Sequence, residues 1–518
     1  MKWNVRGEKT HTTIVLAAVV CISLMMLTIG LATSATAHAA PTLSLAAAGG
    51  RAVDNAQVSQ NWAGSHTIVV KPNGHDDTAG IQAAFNACTS WGRPCTVQLV
   101  RGTYFIAQIT VYGFQGSLVG MGQGSTIVQG LPNLPTPAPA YNTSTSPFWA
   151  GLPGPQNPWP ALLTFVNGSF AISGMTITDP YTDAVAGWNS TAIGGGVPLD
   201  TALYAAVEVT GVQAVATVDH VTVLGAPGDA GGTNMWNAVD CEGFFLPPGW
   251  TNPFLDVVPL SGIFSVTNSV FNMVETGPLF DTMANAEVTV CYNTLTNSEV
   301  PMALYSASNS QVWFCGNRVP NLSYGAGILV FQSINQPNTP STVYISGNYF
   351  QVNNGANAVD LFDLGADWGI ASTLSAVVSG NVFQTNTTCG CYVGSDPSGY
   401  SVIISESLKS LVVAGNTILG GGAAGVYVLG GPAVVSGNTI LGSTDGVWVD
   451  YANNVWVMGN LIKNSVAYGI AVTDGSSNNV VAWNFVKNSG VDDLYWDGTG
   501  TGNAWIGNVF GTSSPSGL

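Results

Sequence analysis

The sequence has few charged side chains, and most of them are acidic. Only 8% of the 518 residues are charged, with 28 acidic residues against 11 basic ones. Proteins that bind nucleic acid neutralise phosphates with clustered Lys and Arg, whereas the basic residues here are scattered along the chain. The composition therefore argues against nucleic acid as a partner. A polyanionic sugar chain would also be repelled unless cations intervened.

The sequence also lacks the features of a disordered chain, of a zinc site and of a helical bundle. Its apolar fraction of 46% is too high for disorder. No Cys-x-x-Cys pair occurs, so zinc is not indicated. Apolar residues come in runs of two to four, without the 3.6-residue spacing of amphipathic helices. These runs predict short β-strands.

One long apolar run is present, close to the first residue. Basic residues precede an apolar stretch from Thr13 to Ala32, and small residues follow as far as Ala40, which is the order of a secretory signal. We predict a signal peptide over residues 1–40, a flexible leader over 41–65 and a secreted protein with no other contact with a membrane. An uncleaved anchor is the alternative.

A Gly-Asn pair recurs through the second half of the chain. The pairs are Gly316-Asn317, Gly347-Asn348, Gly380-Asn381, Gly415-Asn416, Gly437-Asn438, Gly459-Asn460 and Gly507-Asn508, and Asn268 and Asn293 extend the series towards the N-terminus. Gly and Asn adopt the left-handed backbone conformation more easily than other residues, so each pair predicts a sharp bend. The spacing is 24 to 25 residues from Asn268 to Asn317 and 22 to 24 residues from Asn416 onward, where Asn484 fills the gap before Asn508, so each repeat predicts one coil.

This pattern predicts an all-β fold, a parallel β-helix whose strands stack about 4.8 Å apart and whose asparagine amides form a ladder. Leucine-rich repeats are the main competitor, but their Leu-x-x-Leu-x-Leu pattern is missing. An amphipathic stretch over about 76–88, with Ile81, Ala84, Phe85 and Cys88 on one face, predicts a helix that caps the open end of the solenoid.

The start of the predicted coil resembles a known superfamily. The resemblance rests on Asp76-Asp77-Thr78 to Ile81-Gln82-Ala83-Ala84, then Val97-Gln98-Leu99 and Arg101-Gly102-Thr103-Tyr104. This run of about thirty residues is similar to the opening of the pectate lyase superfamily of right-handed β-helix proteins, which includes polygalacturonase-like enzymes and phage tailspikes. The resemblance implies a right-handed β-helix and, more loosely, a function in binding or modifying carbohydrate. The catalytic motif set of polygalacturonases is absent, so no catalytic residue is carried over.

We expect a single β-helix domain over 66–515, with long loop insertions within about 130–260 and regular coils over about 261–510. Two cysteine pairs are candidates for bridges. A disulfide between Cys88 and Cys95 could close a small loop. Cys291 and Cys315 lie one coil apart, and the sequence favours neither a disulfide between them nor two buried free thiols.

Two acidic sets are the candidates for chemistry, because glycan cleavage requires two carboxyl groups beside one bond. Asp240 and Glu242 are two residues apart and would project from the same face of a strand. Glu275 and Glu299 fall near the same turn of successive coils, with Asp281 on the following strand. These carboxylates are candidates for acid and base catalysis or for holding calcium, and solvated surface acids are the alternative. The metal site is otherwise left open.

Other acidic residues rank lower. The three-residue spacing of Asp360 and Asp363 does not align them on a flat strand. Asp450, Asp474 and Asp497 recur near strand ends and are interpreted as turn residues.

Aromatic residues in the insertions are candidates for binding a sugar chain, because ring faces stack on sugars. Trp188, Trp236 and Trp250 are assigned this role together with Asp281. The sequence therefore predicts a β-helix that binds and cleaves a polysaccharide, by hydrolysis or as a lyase. The alternative is a non-catalytic surface or adhesive protein that binds glycan or protein, and the oligomeric state is left open.

Overall fold

The computed structural model shows a parallel β-helix, which confirms the fold predicted from the repeat. It describes residues 66–132, 161–180, 203–226, 235–245, 257–322, 325–332, 339–353, 356–363, 372–385, 401–420 and 422–518. The predicted signal peptide and leader, with Trp188 and Trp250, lie outside these residues. Across the described ranges, none of the helical structure has the length and apolar character that a membrane span requires.

The elements are short and almost all are strands. One helix, α1, spans Thr78–Ser90. The first strands are β1 His66–Val70, β2 Cys95–Leu99, β3 Gly102–Ile106, β4 Ile109–Tyr112, β5 Gln115–Val119, β6 Thr126–Gly130, β7 Ala161–Thr178, β8 Leu203–Leu224, β9 Met235–Glu242, β10 Phe244–Phe245 and β11 Val257–Val258. The middle strands are β12 Leu260–Thr267, β13 Val270–Asn272, β14 Thr276–Cys291, β15 Thr294–Thr296, β16 Met302–Ser308, β17 Gln311–Cys315, β18 Arg318–Leu322, β19 Gly325–Gln332, β20 Ser341–Ser346, β21 Tyr349–Val352, β22 Ala356–Asp363, β23 Leu374–Ser379 and β24 Val382–Thr385. The last strands are β25 Ile403–Glu406, β26 Ser410–Ala414, β27 Thr417–Leu419, β28 Ala424–Leu429, β29 Ala433–Ser436, β30 Thr439–Leu441, β31 Asp445–Asp450, β32 Trp456–Met458, β33 Leu461–Lys463, β34 Tyr468–Thr473, β35 Val480–Ala482, β36 Phe485–Lys487, β37 Asp492–Trp496, β38 Ala504–Ile506 and β39 Ser513–Ser514.

Each coil contributes to three parallel sheets. The first sheet contains β1, β2, β5, β12, β17, β20, β23, β26, β29, β32, β35 and β38. The second contains β3, β6, β13, β15, β18, β21, β24, β27, β30, β33 and β36. The third contains β4, β9, β16, β19, β22, β25, β28, β31, β34, β37 and β39. The long strands β7, β8 and β14 continue from the third sheet into the first, and β7 and β8 continue further into the second. The short hairpin of β10 and β11 is antiparallel.

The helix α1 lies close to the predicted position and covers the first coil. Its apolar face buries Ile81, Ala84 and Phe85, and the Phe85 ring meets the Phe114 ring edge to face at 5.0 Å. The helix end is joined to β2 by a disulfide between Cys88 and Cys95. Covering the core in this way removes the apolar end that an open solenoid would expose.

A ladder of asparagines, all buried except Asn508, runs along one corner of the coil, as predicted. It consists of Asn293, Asn317, Asn348, Asn381, Asn416, Asn438, Asn460, Asn484 and Asn508. Each Nδ2 donates to the next Oδ1 at 2.9–3.1 Å. Each of these Oδ1 atoms also accepts the backbone N–H of the preceding asparagine. The ladder therefore satisfies buried amides while fixing the register between coils.

The residue before each ladder position must adopt a left-handed conformation. Gly316 has φ 61°. Tyr292 (φ 62°) and Trp483 (φ 53°) adopt the same conformation in coils that have no glycine at this position. Asn268 (φ 48°) occupies this bend position. The prediction that Asn268 is a member of the asparagine series is therefore wrong by one residue. The ladder position in this coil belongs to Ser269, whose N–H donates to Asn293 Oδ1 at 3.0 Å.

The second cysteine pair also forms a bridge. Cys291 and Cys315 are paired residues of β14 and β17 and are joined by a disulfide, which decides between the two alternatives left open by the sequence. Among the described cysteines, Cys241 is the free one and is buried.

The asparagine ladder gives a prediction for stability. Asn416→Ala removes the acceptor of two Asn381 donors and the donor to Val378. Since buried polar groups left without partners cost about 1–3 kcal/mol each, we expect a loss on the order of 3 kcal/mol or more. Thermal unfolding followed by circular dichroism measures this loss.

Asn321→Ala is the matched control. Asn321 also bridges coils, donating to Asn297 Oδ1 at 3.3 Å, but the bond is exposed to water. An equal drop in Tm for both variants would contradict the role given to burial.

Candidate functional site

The outer surface of the third sheet carries two columns of stacked side chains. They alternate along each strand with residues of the interior, such as Val239, Cys241 and Phe280, and therefore point away from the core. The first column is Thr164, Glu208, Asp240, Leu279, Ala303, Leu329, Asp360, Ile404, Tyr427, Trp448, Ala471 and Tyr495. The second column is Val166, Thr210, Glu242, Asp281, Tyr305, Phe331, Phe362, Glu406, Leu429, Asp450 and Thr473.

Four carboxyl groups come together in these columns on three neighbouring strands. Asp240 pairs with Glu208 on β8, and Glu242 pairs with Asp281 on β14. Neighbouring strands are separated by about 4.8 Å, so each pair consists of direct neighbours. The structure thus brings Asp240 and Glu242 together on one face, as predicted, and adds Asp281 and Glu208.

Three of these four carboxyl groups are buried. Glu208, Asp240 and Glu242 are 2%, 0% and 1% exposed. Glu208 accepts a hydrogen bond from the Thr164 hydroxyl at 2.9 Å, and Asp240 accepts one from Asn237 Nδ2 at 3.2 Å. Burial, reinforced by the charges of Asp240 and Glu242, raises the pKa of the Cys241 thiol on the opposite side of the strand.

Asp281 is the member of this group that keeps partial contact with solvent. Enough protein atoms surround its carboxyl group to raise the pKa to about 7, although a backbone hydrogen bond at Thr282 opposes the shift. A carboxylic acid with this pKa holds its proton close to neutral pH, as a general acid must.

Glu275 and Glu299 stack at the edge of the same sheet. The Glu299 N–H donates to the Glu275 carbonyl at 3.0 Å, which places them at equivalent points of successive coils, as predicted. Both are half-buried. Burial and the nearby charges of Asp281, Glu299 and Glu275 raise the pKa of the Tyr305 phenol. Tyr305 therefore lies among three partly accessible carboxyl groups, and we call Asp281, Tyr305, Glu275 and Glu299 the Asp281 cluster.

Trp236 is the second residue of β9, four residues before Asp240, and packs against Ala161 and Ala205. Its side chain is half-buried.

Sequence reasoning missed Glu208 and Tyr305. The segment Val207-Glu208-Val209-Thr210 repeats the alternation of Val239-Asp240-Cys241-Glu242, which is a signal that could have revealed Glu208. The irregular spacing of the coils before Asn268 hid this equivalence. Tyr305 carries no signal in the sequence beyond its place in a strand.

The lower-ranked acids also have definite places. Asp360 is in the first column, whereas Asp363 at the strand end accepts bonds from Ser372 and from two backbone N–H groups. The interpretation of Asp450 as a turn residue is wrong, because it is the last residue of β31, is buried, and accepts the Tyr427 hydroxyl at 3.0 Å. Asp474, with φ 51°, does lie in a turn.

No basic side chain lies in either column. All seven Lys and Arg residues beyond 65 are in the described ranges, and none belongs to the third sheet: Lys71, Arg93, Arg101, Arg318, Lys409, Lys463 and Lys487. In the same ranges, no three His, Cys, Asp or Glu side chains are placed to hold a metal ion together. The charged side chains of the two columns are thus all acidic.

Comparisons with known proteins agree with this architecture. Residues 395–510 match the family described as the right handed beta helix region. This match confirms the right-handed β-helix, which is the fold implied by the resemblance to the pectate lyase superfamily. No curated protein matches the chain.

Solved structures are similar at low identity. The surface protein and adhesin PfbA of Streptococcus pneumoniae is 13% identical with a TM-score of 0.40, covering 86% of this chain and 99% of that one. The polygalacturonase of Erwinia carotovora is 13% identical with a TM-score of 0.35, covering 85% and 94%. The A-module of a mannuronan C-5 epimerase of Azotobacter vinelandii is 14% identical with a TM-score of 0.29, covering 85% and 92%.

The buried acids of the columns give a prediction for pH-dependent stability. Burial raises the pKa of Asp360 to about 7, although a hydrogen bond from Asn357 Nδ2 opposes the shift. The unfolded chain loses this proton near its ordinary pKa of 3.8, whereas the folded chain keeps it up to about 7. Stability therefore falls as pH rises through this window. We expect Asp360→Asn to be more stable than the wild type at pH 8, on the order of a few kcal/mol, and nearly equal to it at pH 4.

Asp497→Asn provides a contrast of opposite sign. Hydrogen bonds from Thr499 and from the Asp474 N–H lower the pKa of Asp497 despite its partial burial. This variant should lose stability at pH 8 relative to pH 4. Parallel pH profiles of Tm for wild type and Asp360→Asn would exclude a buried, protonated Asp360.

Proposed function

We propose that this protein is a secreted carbohydrate-active β-helix that binds an uncharged polysaccharide along the two columns of the third sheet and hydrolyses it at the Asp281 cluster. The observation that carries the proposal is the grouping of Asp281, Glu275 and Glu299 around Tyr305 on an accessible part of the sheet, with one carboxyl group protonated near neutral pH. Glycoside hydrolysis requires such a partition between an acid and a carboxylate.

The roles follow from the environments. Asp281 donates its proton to the oxygen of the scissile bond. Glu299, whose charge is among those that raise the pKa of Tyr305, serves as the partner carboxylate. It takes a proton from water, whose hydroxyl joins the anomeric carbon as the C–O bond breaks, so the sugar is hydrolysed with its atoms balanced. Glu275 and the Tyr305 hydroxyl position this carboxylate.

The charge of the surface supports an uncharged substrate and hydrolysis. An acidic groove with no Lys or Arg in its columns would repel a uronate chain. A lyase also requires a base to remove a carbon-bound proton beside an acidic group, and Lys or Arg in that role has no candidate on this sheet. Aromatic members of the columns, such as Tyr305 and Phe331 with ring centroids 6.1 Å apart, offer apolar faces to sugar rings.

The predicted acid and base are tested by activity. Asp281→Asn and Glu299→Gln should each lower kcat on uncharged glucans, mannan or xylan by about 100-fold or more, since positioned proton transfer contributes 10²–10⁴-fold. Activity of the wild type should fall as pH rises through about 7, because Asp281 then loses its proton. Release of reducing ends measures both effects.

Glu287→Gln is the matched control, because Glu287 is an exposed carboxylate on the same strand, β14, but belongs to the first sheet. Full activity in Asp281→Asn would contradict the assignment. Asp240→Asn and Glu242→Gln show whether the buried carboxyl groups contribute to turnover.

Binding without cleavage is the second candidate function. It is favoured by the burial of Glu208, Asp240 and Glu242, which leaves fewer carboxyl groups open to a substrate. Retention of the protein on an insoluble glycan, without released reducing ends, would support this adhesive role.

A further inference from the structure

A groove lies on the third sheet far from the Asp281 cluster. It has a volume of about 180 Å³ and lies among Asp445, Trp448, Tyr468, Ala471 and Thr473 on β31 and β34. Trp448 is six strands beyond Asp281, by way of β16, β19, β22, β25 and β28, so the two places are roughly 30 Å apart along the sheet. Trp448, Ala471 and Thr473 of the groove belong to the same two columns as Asp281 and Tyr305 of the cluster.

The floor of the groove is a small side chain, that of Ala471, and its walls are aromatic rings. In the first column the order is Trp448, Ala471 and Tyr495, so a methyl group lies between two rings on successive strands. The Tyr495 ring stacks on the Tyr468 ring at 4.3 Å with an interplanar angle of 18°. Trp448 and Tyr468 are half-buried and leave ring surface accessible.

The Trp448 ring is held in place by a polar network. Its Nε1 donates to the Thr473 hydroxyl at 2.8 Å, and Thr473 donates to Asp450 Oδ1 at 2.7 Å. The Tyr427 hydroxyl donates to the other Asp450 oxygen at 3.0 Å, and its ring lies 4.8 Å from that of Trp448. A ring fixed in this way loses little freedom on binding, which favours affinity.

One side of the groove provides a hydrogen-bond acceptor. Asp445 is 9% exposed, and one of its oxygens accepts the Tyr468 N–H at 2.9 Å. Within the described residues the carboxyl group makes no second hydrogen bond and has no basic neighbour on the sheet. A ligand that fits must therefore offer an apolar face together with hydroxyl donors, and must not be an anion.

We propose that this groove is a second sugar-binding site, which takes an uncharged hexose unit of the same polysaccharide that reaches the Asp281 cluster. The inference rests on the proposed function for the identity of the polymer. The sugar ring sits on Ala471, with Trp448 on one side and the Tyr468–Tyr495 pair on the other, and its hydroxyls donate to Asp445. A chain long enough to cover both places is bound at two points, whereas a short oligosaccharide contacts one of them.

Two variants test this site. Ala471→Phe fills the groove without removing a partner, and Trp448→Ala removes one wall. Binding of soluble glucans, mannan and xylan is followed by isothermal titration. We expect each variant to weaken binding of the polymer about tenfold, as the loss of one ring contact implies. Where the polymer is cleaved, KM should rise by a similar factor at unchanged kcat, while kinetics on disaccharides and trisaccharides stay unchanged.

Trp456→Ala is the matched control, since Trp456 lies on the next coil, is 44% exposed and belongs to the first sheet. Unchanged polymer affinity in both groove variants would overturn the inference. If Asp281→Asn still abolished hydrolysis in that case, the proposed function would stand without the second site. If polymer binding depended on Trp448 but the protein released no reducing ends, the result would support the second site and contradict the proposed cleavage. Failure of the wild type to bind any of these glycans would overturn both.

Discussion

The register between coils is the constraint on which the rest of the structure depends. Parallel strands repeat at about 4.8 Å, and the buried asparagine ladder prevents one coil from slipping relative to the next, since a slip would leave amides without partners. A slip of one residue would also exchange interior and exterior side chains along a whole strand. With the register fixed, residues far apart in the sequence, such as Glu242 and Asp281, become neighbours on one surface.

Because the register stacks equivalent positions of successive coils, each sheet collects its own kinds of side chain, and the second and third sheets differ electrostatically. The second sheet carries cations beside rings, with Arg318 over Tyr349 and Lys463 over Phe485. The third sheet collects carboxyl groups and rings, with no Lys or Arg in its columns. Stacking like charges on neighbouring strands would destabilise the coil if all were ionised, so burial that keeps Asp281 and Asp360 protonated near neutral pH relieves part of this repulsion. The same effect supplies a proton donor.

Much of the fold could be predicted from the sequence, because its signals are local. Gly316 and Asn317 are needed at a bend whatever surrounds them, and the cap helix shows its apolar face within a few residues. The site was harder to predict, because its members meet only through register. The positions of Glu275 and Glu299 followed from the regular spacing after Asn268, whereas Glu208 was missed because that spacing fails before it. The burial of Asp450 was missed for another reason, since a strand end and a turn look alike in sequence. The Cys291–Cys315 bridge likewise depends on side-chain geometry that spacing alone leaves open.

A solenoid surface suits a polymeric ligand because it repeats along one direction. The columns present chemically similar positions at every coil, so a chain of repeating sugars lying along the axis can meet several of them in succession. The carboxyl groups of the Asp281 cluster and those beside the groove at Trp448 have different surroundings. Three carboxyl groups act on Tyr305 in the first, whereas Asp450 in the second is occupied by Tyr427 and Thr473 and serves to orient a ring. An acid that keeps its proton close to neutral pH, such as Asp281, suits bond cleavage, whereas a carboxylate that orients a ring through hydrogen bonds, such as Asp450, suits binding. The division of labour proposed for the third sheet follows from this difference between its acids.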